Sequence, residues 1–150
     1  MVRTDGLLGI ANRAHFDERI EQACSLAWRQ ERHVGLLMID LDHFKRYNDW
    51  YGHRQGDICL QVVVRAVASV LKRDTDLLAR YGGEELAVIL PDTDGEGSAA
   101  VAERVCKRCV PCSSTMQIRR WRRMSPSASA CAAGYPHQPI PAAAALAPRG

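Results

Sequence analysis

Apolar residues recur at three- and four-residue steps through Phe16, Ile20, Cys24 and Ala27, which predicts an amphipathic helix over residues 12–31 with Asn12 as its N-cap. The pattern then changes. Val34 to Ile39 is a short, unbroken apolar run closed by Asp40, the form of a strand buried on both faces. A short helical segment carrying Phe44 and Tyr47 follows, and Gly52 to Gly56 reads as a loop. Leu60, Val63, Val64, Val67, Val70 and Leu71 share one face of a helix predicted over 57–72. A strand near Leu77–Arg80, a glycine turn, a strand over Glu85–Leu90, a loop at Pro91–Gly95 and a helix from Ser98 to Cys106 complete the pattern. The order β-α-α-β-β-α predicts an α+β domain, broadly ferredoxin-like, with an antiparallel sheet flanked by helices. In that topology the first strand lies antiparallel to the third, which sets Asp40 beside Glu84.

The chemistry sits at the turn Arg80-Tyr81-Gly82-Gly83-Glu84-Glu85-Leu86. Glycines supply the positive torsions of a hairpin turn without steric cost and let a phosphate approach the backbone. Adjacent carboxylates at such a turn suit a divalent cation that holds a nucleoside triphosphate. Three further segments fall in the same order and spacing as the motifs of one family. They are Asp5-Gly6-Leu7-Leu8-Gly9-Ile10-Ala11-Asn12-Arg13, then Asp40 to His53 with its Asp-Leu-Asp-His-Phe-Lys opening, and Gly56-Asp57. Together with the turn, here in its Gly-Gly-Glu-Glu form, they resemble the GGDEF-domain diguanylate cyclases from residue 5 to about residue 106. Leu86 stands where that family usually has Phe.

The resemblance implies a nucleotidyl-cyclase-like fold and the Mg²⁺-dependent (or Mn²⁺-dependent) condensation of two GTP into cyclic di-GMP. It implies one GTP per domain and catalysis only in a homodimer. By the same resemblance, Asp40, the main-chain carbonyl of Leu41, Glu84 and Glu85 bind metal, and Glu84 promotes deprotonation of the attacking hydroxyl. Asn48 and Asp57 read guanine, Phe44 and Lys45 cradle phosphates, His53 lies near the ribose or organises the loop, and Arg80 adds charge. Arg73 and Asp76 form the family's product-inhibition pair, where the arginine forks guanine or phosphate. The competing expectation is a catalytically inactive GTP or cyclic di-GMP binding module, or a truncated remnant.

Composition sharpens one boundary. The first 106 residues carry 13 basic and 17 acidic side chains; the last 44 carry seven basic and none acidic, amid Ala, Pro and Ser. The expected division is therefore a truncated GGDEF domain over 1–108 and a tail over 109–150 that is expected to be disordered, with the family's C-terminal elements missing or scrambled. Read as ATG TCA CCG TCA GCA TCG GCG and shifted by two bases, Met124 to Ala130 yields Val-Thr-Val-Ser-Ile-Gly, the family's next strand, so a reading-frame change accounts for the tail. Cys106, Cys109, Cys112, Cys131 and His137 have zinc-like spacing without an organised second ligand pair, and Arg119 to Arg123 reads as an incidental basic stretch rather than a nucleic-acid site. With 47% hydrophobic residues the 150-residue chain suffices for one core, and no apolar run approaches the roughly 20 residues of a membrane span. A cytoplasmic domain with free thiols is expected.

Overall fold

Asn12 closes the first helix as its sequence predicts: the side-chain oxygen accepts from the His15 amide at 2.9 Å, and α1 runs Arg13–Gln30. The structure is a computed structural model that describes residues 2–109 and 116–124. After α1 come β1 (Val34–Leu41), α2 (Phe44–Tyr51), α3 (His53–Val70), β2 (Leu77–Gly82), β3 (Glu85–Pro91), α4 (Gly95–Cys109) and β4 (Met116–Met124). The strands form one antiparallel sheet in the order β2-β3-β1-β4.

Alternation along β1 and β3 explains why both strands read as unbroken apolar runs. Val34, Leu36, Ala87 and Ile89 face α1 and pack with Phe16, Ile20 and Cys24. Leu37, Ile39, Leu41, Leu86, Val88 and Leu90 face the other layer, against Leu60, Val63 and Val67 of α3 and Val101 and Val105 of α4. Each such side chain taken fully from water contributes about 1.5–3 kcal/mol, so the central strands are anchored from both sides.

Three features differ from the sequence reading. The expected loop at Gly52–Gly56 shrinks to Gly52, because α3 already begins at His53 and Gly56 lies in its first turns. Gly56 reads as a breaker in sequence, but here it supplies space. The outer edge of β2 is covered by the opening segment: Ala11 bridges to Ala79, its amide donates to Leu78 O, and its carbonyl accepts from the Arg80 amide at 2.8 Å. The far edge of β1 carries β4, within the stretch whose sequence shows no strand pattern. Met-Gln-Ile-Arg-Arg-Trp-Arg-Arg-Met lacks clean two-residue alternation, whereas an open β1 edge offers a row of backbone donors and acceptors to any extended segment. Of the segment read in the shifted frame only Met124 is described; residues 125–130, Cys112, Cys131 and His137 lie outside the described residues. Among the described residues Cys24, Cys59, Cys106 and Cys109 are not joined in disulfides, and no helix is long and apolar enough to cross a membrane.

Candidate functional site

The ladder between β1 and β3 decides which acids meet. Asp40 is in register with Glu85, and Gly82 pairs with Glu85 across the hairpin, so Gly83 and Glu84 are the two loop residues. The sequence reading set Asp40 beside Glu84. A register shift between Arg80 and Gly82 moves Glu84 onto the turn and makes Glu85 the first ladder residue. Only Gly83 of the pair takes a positive φ, 48°, the torsion that a type II′ hairpin requires at its first position. Glu84 is half-buried there and Glu85 is exposed.

Strand alternation gives Asp40 and Glu85 the same face, the one that α1 covers further along. Like charges directly opposite in a ladder repel, and a cation between them reverses the sign. Among the described residues no three His, Cys, Asp or Glu side chains form a closed metal cage. A carboxylate pair with a strand-end carbonyl suits instead an ion that keeps positions for phosphate and water. Leu41 buries its side chain in the α3–α4 layer at the end of β1.

From Leu41 the chain turns through His43, which holds a left-handed φ of 56°, directly into α2. Lys45 is exposed in the first turn of α2, and Phe44 is partly buried against the core. The free amides at that helix start favour anions. Asn48 lies one turn on and packs on Gly56: a Cβ built there would fall 1.7 Å from Asn48 Oδ1 and 3.2 Å from Phe44 Cζ. That Oδ1 is buried without a hydrogen-bond partner. Asp57 follows Gly56 and is exposed, so the second residue expected to read guanine is the chain neighbour of the glycine that Asn48 packs on. His53 is exposed at the start of α3.

Arg80, expected to add charge at the site, makes its contacts at the acidic turn and the opening segment. Its Nε donates to Gly83 O at 3.0 Å, and its Nη1 pairs with Asp5 Oδ2 at 3.2 Å. Asp5 Oδ1 in turn accepts the amides of Leu7 and Leu8 at 3.0 and 2.9 Å. Arg80 thus braces the acidic turn against the opening segment. Arg13 adds a second brace, stacked 3.6 Å over the ring of Tyr81, which also meets Phe16 edge-on. Sequence reasoning found Asp5 only as part of a motif, since nothing local links it to a partner 75 residues away.

Burial pushes the Asp5 carboxyl up, but the Leu8 amide, the Arg80 guanidinium and the Leu7 amide outweigh it and hold the group below its ordinary value. A folded-state value below the unfolded one stabilises the fold above the unfolded pKa, and that contribution fades as pH falls through the folded value. Asp5→Asn is therefore expected to melt on the order of a few degrees below wild type at pH 7, with the gap closing below about pH 4. Melting curves from pH 7 to 3 check this; a gap that does not change with pH would show that the charge contributes nothing.

A concavity of about 670 Å³ lies at the other end of the strands, where β2 starts and β3 ends, some seven residues or about 20 Å from Glu85. Arg73 and Asp76 line it and are brought together: Arg73 Nη2 lies 3.3 Å from Asp76 Oδ1, whose side chain is 5% exposed. Arg73 also donates to Thr93 Oγ1. Arg32, His33 and Arg104 line the same cleft. Periodicity gave no sign of these three, because they come from a loop before β1 and from the exposed side of α4.

Residues 2–142 match the family described as "Diguanylate cyclase, GGDEF domain". The diguanylate cyclase DgcP of Pseudomonas aeruginosa is 39% identical over 109 residues, which is 73% of this chain and 16% of that protein. Diguanylate cyclase A of Treponema denticola is 49% identical over 74 residues, 49% of this chain and 20% of its own length. The chain thus spans a small part of the curated relatives it matches. Among solved structures, the GGDEF domain of DgcB from Caulobacter crescentus in complex with c-di-GMP superposes with a TM-score of 0.67 at 36% identity, covering 77% of this chain and 65% of that one.

Proposed function

The chain belongs to the GGDEF family of diguanylate cyclases, and from that premise we propose that it condenses two GTP into cyclic di-GMP and two pyrophosphates. The observation that carries the reading is the pairing of Asp40 with Glu85 in register, next to the Gly83–Glu84 turn. Asp40, Glu84 and the Leu41 carbonyl would hold Mg²⁺ or Mn²⁺, with Glu85 close by; two facing carboxylates fit a hard cation. When bound, the ion neutralises phosphate charge and eases ionisation of the 3′-hydroxyl.

The protein's own residues do the positioning. Asn48 has a carboxamide oxygen without an internal partner, and guanine N–H donors supply what it lacks. Asp57 accepts from the same edge. Phe44, Lys45 and the first amides of α2 seat the phosphates, and His53 stands beside the ribose. Glu84 draws the proton from the attacking 3′-oxygen. The new bond forms between that oxygen and the partner's α-phosphorus, the bond from α-phosphorus to pyrophosphate breaks, and the second half-reaction repeats this. Each domain holds one GTP, so the homodimer is the catalytic unit. Arg80 acts through the turn it holds. Cyclic di-GMP returns to the Arg73–Asp76 cleft as an inhibitor.

Incubation with GTP and Mg²⁺ over a range of protein concentrations tests this. Cyclic di-GMP and pyrophosphate are expected at one to two, with specific activity rising with protein concentration. A folded protein that binds GTP and releases no pyrophosphate would overturn it. Arg73→Ala is expected to straighten the progress curve, since product then accumulates without slowing turnover; equal curvature in both proteins would remove the inhibitory role from this cleft.

A further inference from the structure

The cleft around Arg73 and Asp76 adjoins a second concavity of about 500 Å³ against α1, and both are lined by Arg32, His33, Arg73 and Asp92. Arg32 and His33 are the residues immediately before β1. The His33 carbonyl accepts the Thr93 amide at 3.3 Å, which fixes the residue against the loop after β3. Its imidazole Nδ1 is buried and has no hydrogen-bond partner, a deficit that a ligand can meet. Arg32 pairs with Asp92 at 2.5 Å across the same wall, and the two side chains are 57% and 52% exposed. An ion pair that exposed opens at little cost, which frees Arg32 for another anion on the wall it shares with His33.

A cyclic dinucleotide with two guanines presents the same recognition groups twice. One Arg–Asp pair reads one of them. We propose that His33, with Arg32 beside it, is the second recognition point of this cleft for a guanine-bearing cyclic dinucleotide: His33 bonds guanine and Arg32 exchanges Asp92 for a phosphate. Guanine offers acceptors at N7 and O6 and donors at N1 and N2, so either imidazole tautomer finds a partner. This rests on the reading of the Arg73–Asp76 cleft as the product site.

The test is titration calorimetry with cyclic di-GMP on wild type, Arg73→Ala, His33→Ala and His33→Asn, with melting curves for each. Arg73→Ala is expected to bind at least about 100-fold more weakly and His33→Ala about tenfold. His33→Asn, which retains a donor and an acceptor, is expected to recover most of the loss. His33→Ala within twofold of wild type, with Arg73→Ala still defective, overturns the role of His33 and leaves the product site standing. Arg73→Ala as tight as wild type overturns the product site itself. If His33→Ala does not fold, the imidazole ¹H–¹⁵N signals of the wild-type chain decide: the His33 resonance shifts on cyclic di-GMP addition, and an unmoved resonance at saturation rejects the contact.

Discussion

Glu84→Gln is expected to lower cyclic di-GMP synthesis by at least about 10³-fold while the chain melts within a degree or two of wild type. The substitution keeps the shape of the side chain and removes its charge. Glu84 occupies the second loop position of a hairpin that Gly83 and the Arg80–Gly83 bond already hold, so the turn does not depend on the carboxylate. What disappears is an anionic oxygen for the cation and for the proton of the attacking hydroxyl. GTP binding should fall far less than turnover, since the proposed guanine and phosphate contacts lie on α2 and α3. Glu85→Gln is the informative contrast. It relieves like-charge repulsion with Asp40 across the ladder, worth about 0.2–1 kcal/mol, and should raise the melting temperature in metal-free buffer. If Glu84→Gln turns over normally and Glu85→Gln does not, the roles of the two acids are exchanged.

Much of this arrangement was legible in sequence, and for a physical reason. Val34 to Ile39 and Leu86 to Leu90 are apolar on both faces because helices cover both faces, and that leaves few registers open. The carboxylates then fall at one end of the sheet. The error of one residue, Glu84 in place of Glu85 opposite Asp40, comes from the irregularity at Tyr81, which no period reveals. Arg80 illustrates a second limit. A lone arginine before an acidic turn looks like a phosphate ligand until a carboxylate 75 residues away is seen to bind it. Arg73 and Asp76 were legible through the motif, whereas Arg32, His33 and Arg104, which line the same distal cleft, were not, since they come from a loop and an exposed helix side that carry no pattern. β4 shows a third limit, because pairing with an open edge depends on backbone groups that every sequence shares.

Gly56 combines both lessons and gives the second large effect. Its φ is not in the left-handed region, so its role is space and not torsional freedom. In an unobstructed helix Gly→Ala stabilises by about 1 kcal/mol. Here the added methyl would fall 1.7 Å from Asn48 Oδ1 and 2.8 Å from its Cγ, so the carboxamide must leave. Overpacking of this kind costs about 1–3 kcal/mol, which leaves the net change in stability small or moderately unfavourable. The functional change is larger: with Asn48 displaced, Gly56→Ala is expected to raise the KM for GTP about 10- to 100-fold. A double-mutant cycle separates this from general damage. In an Asn48→Ala background the obstruction is gone, so Gly56→Ala should add no further loss of GTP affinity and should raise the melting temperature, as alanine does in an open helix. Additive losses would mean that Gly56 serves α3 independently of Asn48, and the guanine site would have to be sought elsewhere on α2.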